Sequence, residues 1–220
     1  MQLVSNYENL YKALGGKVRM VAVSKTKPVE MIRELYDAGQ RDFGENRVQE
    51  LTAKSAVLPA DITWHFIGHL QTNKVRFIVP FVGYIHSVDS LKLLSEINRE
   101  AAKINRVINC LLQFHIATEE TKFGLSFEEA AALLNNPDTA RMQNVRICGI
   151  MGMATFTDNK QLIRNEFRQL KSHFDKLKTS HFNDDPAFRE ISMGMSNDYE
   201  IAIEEGSTMV RIGSLIFGER

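Results

Sequence analysis

Eight short apolar runs, each followed by a polar or amphipathic stretch, are the feature that most limits what this chain can fold into. They are Val18–Lys25, Asp42–Asn46, Trp64–Gly68, Tyr84–Val88, Asn109–Ile116, Val145–Met153, Glu190–Met195 and Met209–Gly218. Runs of this length, rich in Val, Ile and Met, read as strands buried on both faces. Between them the period turns helical. Met31, Ile32, Leu35 and Tyr36 share one helix face that Gly39 closes. Asp89 or Ser90 caps a helix carrying Leu94, Ile97 and Ala101, and Ser126 with Glu129 forms a capping box. Ile163, Phe167, Leu170, Phe174 and Leu177 make the longest stripe, on a helix starting near Asp158. Tyr199, Ala202 and Ile203 line a short last helix ending at Gly206.

Strand and helix alternate without a hairpin signal, so the strands are parallel and joined by crossovers. Eight units in 220 residues fit a closed (β/α)₈ TIM barrel near the lower end of that fold's range of ~200–400 residues. An open doubly wound sheet competes, but it normally carries a glycine-rich first turn. The first turn here is Ser24-Lys25-Thr26-Lys27-Pro28, without glycine. The expectation is an α/β chain whose residues 1–220 form a single TIM-barrel domain.

Composition excludes several functions. Lys+Arg 27 against Asp+Glu 27 leaves zero net charge, which argues against a nucleic-acid coat or a membrane-surface protein. No window reaches 18 consecutive apolar residues, and Met1–Leu10 lacks a signal-peptide pattern. Cys110 and Cys148 both sit in apolar runs, which reads as free thiols in a cytoplasmic protein.

Barrel active sites lie at the C-terminal ends of the strands. Lys25 closes the first run, where alternation puts it on one face with Val21 and Val23. Partial desolvation there, with Lys27 nearby, favours a neutral amine of the kind that condenses with an aldehyde. A snorkelling surface lysine fits the same position. Near the other end, Ser192, Gly194 and Ser196 share a strand face, and Ser196 opens a helix as cap or phosphate ligand. Arg211 lies between Val210 and Ile212, so alternation turns it into the barrel, where a charge needs an acceptor. Gly213 and Ser214 follow, able to present amides and a hydroxyl to an anion. Phosphate sites in barrels recur after strands 7 and 8.

Other signals are weaker. His65 and His69 have a metal-like spacing, but Phe66-Ile67-Gly68 reads as strand into turn, so no metal site is expected. Asn46 either reaches the barrel mouth or starts a helix. Glu119–Gly124 reads as a charged loop, in which Lys122 is a second candidate amine.

Taken together, Val23-Ser24-Lys25-Thr26-Lys27-Pro28, Phe43-Gly44-Glu45-Asn46, His65–Lys74, Ser192-Met193-Gly194-Met195-Ser196 and Val210-Arg211-Ile212-Gly213 resemble the YggS-type pyridoxal phosphate homeostasis family over nearly the whole chain. The resemblance implies the barrel of the alanine racemase N-terminal domain and of fold-type III pyridoxal-phosphate enzymes. It implies that Lys25 forms the internal aldimine with pyridoxal 5′-phosphate. Ser196, Gly213 and Ser214 would hold the phosphate, Arg211 would face the pyridine nitrogen, and Asn46 would join the cofactor site. Lys122 would be a secondary contact, and whether it or Lys27 is a secondary site stays open. Amino acids or pyridoxal-phosphate-dependent apoenzymes would be the further partners.

A guanidinium facing the ring cannot accept a proton, so the ring would be a poor electron sink. Racemases of this fold add a second domain that supplies an opposing base, and no such domain is expected here. The resulting expectation is a cofactor-holding protein, monomeric and without catalytic residues. A small amino-acid racemase is the alternative, and a barrel acting on a phosphate ester is the reading from outside this chemistry.

Overall fold

The computed structural model describes residues 2–118 and 123–218. All eight apolar runs contain strands: β1 (Arg19–Val23), β2 (Asp42–Glu45), β3 (Thr63–Phe66), β4 (Val82–Val88), β5 (Ile108–Gln113), β6 (Val145–Met151), β7 (Glu190–Ser192) and β8 (Met209–Ile212). They pair in chain order into a closed barrel. β8 returns parallel to β1, with Val21 opposite Arg211.

The helices are α1 (Gln2–Leu14), α2 (Val29–Asp37), α3 (Val48–Ser55), α4 (Val75–Ile78), α5 (Leu91–Ala102), α6 (Phe127–Asn135), α7 (Pro137–Ala140), α8 (Lys160–His181), α9 (Tyr199–Glu204) and α10 (Ser214–Phe217). The main core lies between this layer and the barrel, where Ile32 and Leu35 of α2 and Phe167 and Leu170 of α8 are fully buried. A smaller cluster of Leu111, Cys148 and Met151, with Tyr84 and Met153 against it, fills part of the barrel interior. No helix among the described residues is long and apolar enough to cross a membrane.

Local chemistry fixes the helix ends. Gly39, at φ +106°, donates to the Tyr36 carbonyl while Gln40 donates to that of Leu35, so the last turn of α2 closes on a left-handed glycine. Ser90 rather than Asp89 caps α5, accepting from Leu93 N–H. The Ser126–Glu129 capping box is present in both directions.

The long stripe starts near Asp158 as expected, at Lys160, where Asn159 caps it by accepting from Leu162 N–H. Two expectations need correction. Strand β7 stops at Ser192, and Gly194 leaves the extended region at φ +95°. A Cβ there would lie 2.6 Å from that of Ala202, so the chain turns where only glycine fits. Ser196 therefore stands in a loop, and the N-cap of α9 is Asp198, whose carboxylate accepts from Met195 N–H. Helix α1, for which no expectation was formed, buries Tyr7, Leu10 and Leu14 and packs against α2 and α10.

Candidate functional site

The loops at the C-terminal ends of the strands surround a cavity of about 970 Å³. Lys25, Asn46, Ser196, Arg211, Gly213 and Ser214 all line it. Topology explains the convergence. Lys25 follows β1, Asn46 follows β2, Ser196 follows β7, and Arg211 to Ser214 end β8, and these four strands are neighbours around the barrel.

Lys25 is half-buried in a turn closed by a hydrogen bond from Lys27 N–H to the Ser24 carbonyl, 3.0 Å. Thr26, at φ +65°, occupies a conformation that a β-branched residue rarely adopts. The turn holds because its backbone is gripped from beneath. Glu50 Oε1 accepts from Thr26 N–H at 2.6 Å, and Lys54 Nζ donates to the Ser24 carbonyl at 2.8 Å. Lys54 also donates to Glu45 Oε1 (2.8 Å) and Glu50 Oε1 (2.6 Å), and Ser24 Oγ donates to Glu45 at 2.6 Å. Burial raises the Glu45 carboxyl above its ordinary value, against the hydrogen bonds from Lys54 and Ser24. Sequence reasoning missed this support, although the i,i+4 spacing of Glu50 and Lys54 signals a helix-surface ion pair. Lys27, by contrast, is tethered: its Nζ donates to the Phe217 and Gly218 carbonyls at the end of α10.

Across the cavity, Ser196 Oγ accepts from Gly213 N–H at 3.3 Å, linking the loops after β7 and β8. Ser214 begins α10 directly afterwards. Asn46 lies at the mouth, and since α3 begins at Val48 with Arg47 as its N-cap, Asn46 reaches the mouth rather than starting the helix. Gly68 lets the β3 loop pass close to it, since a Cβ would meet the Asn46 carbonyl oxygen at 2.3 Å.

Arg211 does turn inward, and it is buried. Its acceptors are neutral. Nη1 donates to the Ser192 carbonyl (2.8 Å) and to Ser192 Oγ (2.6 Å), and Nη2 donates to the Gly152 carbonyl (3.1 Å). Burial pulls its guanidinium down to about 10, with Asp198 acting in the opposite direction.

No cluster of metal ligands occurs among the described residues. His65 is wholly buried and His69 sits at the cavity rim, stacked on Phe123 at 4.1 Å between ring centroids and 3.5 Å from Asp89. Cys110 and Cys148 are buried and free, and burial holds both thiols high, Cys148 at about 11. The candidate Lys122, with Glu119 to Thr121, lies outside the described residues.

The sequence matches the family described as alanine racemase, N-terminal domain, across residues 1–220. It is 42% identical over 203 residues to a pyridoxal phosphate homeostasis protein of Aquifex aeolicus, covering 92% of this chain and 87% of the relative. This chain belongs to the pyridoxal phosphate homeostasis family. In that family, the structure of PipY from Synechococcus elongatus with PLP bound superposes with a TM-score of 0.88 at 37% identity, covering 99% of this chain and 100% of PipY. Alanine racemase of Clostridium difficile shares the fold alone, with a TM-score of 0.78 at 17% identity. This chain corresponds to 60% of that racemase.

Proposed function

We propose that this chain binds pyridoxal 5′-phosphate in the cavity at the C-terminal end of the barrel and holds it for cellular cofactor balance rather than for turnover. One observation carries the reading: a half-buried lysine, two serine hydroxyls and a buried arginine converge on one cavity from three adjacent strand ends. The donor set suits the cofactor. Lys25 would attach to the aldehyde carbon, Ser196 and Ser214 with the backbone at Gly213 would hold the phosphate, and Arg211 would face the ring. Asn46 completes the rim. When bound, the cofactor supplies an electron sink for chemistry at the α-carbon of amino acids.

The residues around it restrain that chemistry. Arg211 offers only N–H donors, so it cannot accept a proton from the ring nitrogen or carry one to it as an acid of ordinary strength. Its surroundings are carbonyls and a hydroxyl, none of which is a base of useful strength. Lys25 would be one base, on one face of a bound amino acid, and racemisation needs proton delivery from the other face as well. A positioned acid–base group is typically worth ~10²–10⁴-fold. The two buried free thiols support a reducing, cytoplasmic setting. Amino acids and pyridoxal-phosphate-dependent apoenzymes are the expected partners, and the protein is expected to act as a monomer.

The test combines a titration with an exchange assay. Adding PLP to the purified protein should generate a band near ~420 nm, a property of the cofactor joined to an amine. The loaded protein is then incubated with L-alanine in D₂O, and deuterium incorporation and enantiomer ratio are measured. Conversion to the D-enantiomer at ~1 s⁻¹ or faster, the lower end of ordinary turnover, would replace the holding role with a racemase.

A further inference from the structure

Inside the barrel, below the cavity, four side chains connect Arg211 to the opposite end of the sheet. Ser192 Oγ lies 2.6 Å from Arg211 Nη1, His86 Nδ1 lies 3.0 Å from Ser192 Oγ, His65 Nδ1 lies 2.9 Å from His86 Nε2, and Asp42 Oδ1 lies 2.8 Å from His65 Nε2. Ser192, His65 and His86 are all fully buried, while Asp42, at the start of β2, keeps some contact with solvent.

The proton positions follow from the two ends. A guanidinium only donates and an ionised carboxylate only accepts. Ser192 Oγ accepts from Arg211, which frees its own proton for His86 Nδ1. A neutral His86 then carries its proton on Nε2 and donates it to His65 Nδ1. A neutral His65 in turn carries its proton on Nε2 and donates it to Asp42. Every bond runs the same way, and reversing the middle one would aim a lone pair of His65 at the Asp42 carboxylate. Neutral rings are what burial dictates. It lowers both imidazoles, and His86 falls well below its ordinary value because His65, Arg211 and Arg19 add to the effect. The stacking of Tyr84 on His65, 4.8 Å between centroids and 2° from parallel, holds that ring in plane.

We infer that Asp42, His65, His86 and Ser192 are positioning residues that form a one-way donor chain, anchoring the Arg211 guanidinium to a carboxylate across the barrel and fixing which of its N–H groups remain for a ligand in the cavity. The chain answers a difficulty left by the site itself: the hydrogen-bond acceptors of the buried Arg211 cation are all neutral, with Asp198 acting only through space, and a buried charge without a bonded counter-charge is costly. Linked neutral groups polarise one another, so the Asp42 charge is felt at Arg211 through the bonds between them. With Nη1 bound twice by Ser192, and Nη2 once by Gly152, the guanidinium plane is set before any ligand arrives. Its Nε, on a residue that lines the cavity, is bonded to none of the described residues.

The role toward a ligand rests on the pyridoxal-phosphate reading, but the chain can be read without cofactor. In ¹⁵N-labelled protein at pH 7, long-range imidazole ¹H–¹⁵N spectra should show His65 and His86 both neutral and both protonated on Nε2. An imidazolium, or an Nδ1–H tautomer at either ring, would overturn the chain. In Ser192→Ala, the Asp42–His65 end should still hold His86 protonated on Nε2, while affinity for PLP should fall about tenfold, the worth of a hydrogen bond to a charged group. The absorbance maximum of the bound cofactor should also shift. Unchanged affinity together with unchanged absorbance in this variant would remove the positioning role. Failure of the unaltered protein to bind PLP would strike the proposed function alone, since the tautomers of the cofactor-free protein decide the chain. Should Ser192→Ala not fold, the spectra of the unaltered protein decide it by themselves.

Discussion

Lys54 Nζ sits 2.8 Å from Glu45 Oε1, with both side chains removed from solvent, directly beneath the turn that carries Lys25. The pair ties the end of β2 and the helix after it to the loop after β1. Its third member, Glu50, holds the backbone of Thr26 in its left-handed conformation. Lys54→Met would leave Glu45 buried without its cation. Breaking a buried pair from one side typically costs about 3–5 kcal/mol. The expected outcome is a loss near the lower end, about 3 kcal/mol, because Glu45 already sits above the usual carboxylate range and takes up a proton in relief. Urea unfolding measures the loss, and the cofactor titration should show weaker attachment at Lys25. A variant as stable as the parent would contradict the role of the network.

The histidine pair predicts a pH dependence. Both imidazoles are lowered by burial, so the unfolded chain binds their protons more readily than the folded one does. Stability contributed by neutral His65 and His86 is therefore fully present above about pH 6.5 and is lost as pH falls through their depressed values. Each histidine adds a slope of up to about 1.4 kcal/mol per pH unit in that window. Unfolding free energies measured between pH 5 and 8 should show this fall on the acid side, and His86→Leu should flatten it. A flat profile in the parent would mean that the pair is charged or exposed.

The loops after β7 and β8 predict a separation of affinity from colour. Ser196→Ala combined with Ser214→Ala should weaken PLP binding, each lost hydrogen bond to the phosphate costing about 1.5–3 kcal/mol. The ~420 nm band belongs to the bond at the aldehyde carbon, so it should survive at saturating cofactor. Unchanged affinity would locate the phosphate elsewhere.

The barrel was legible because its signal repeats. Every strand buries both faces, so all eight runs stand out, and Arg211 follows from alternation within β8, whereas β1 stops at Val23 and Lys25 reaches the cavity from a turn rather than from a strand face. The loops were harder. Gly194 breaks the extended backbone at a point where Ser192, Gly194 and Ser196 look like an unbroken alternating strand, which moved the cap of α9 from Ser196 to Asp198. The interior chain was hidden by a different habit of reading. The spacing of His65 and His69 draws attention to metal, whereas the partner of His65 is His86, from the next strand. Alternation within Thr63–Phe66 does carry the clue: Trp64 and Phe66 join the core under the helices, which leaves His65 facing inward. What no pattern supplies is the set of partners across the barrel, because that depends on register between strands distant in sequence.

Reductive trapping shows directly whether Lys25 is the residue that holds the cofactor. The protein is loaded with PLP, reduced with borohydride, digested and mapped by mass spectrometry. A phosphopyridoxyl adduct is expected on Lys25, lost in Lys25→Ala while the fold is retained. An adduct found mainly on Lys27 or Lys122, with Lys25 unmodified, would contradict that role.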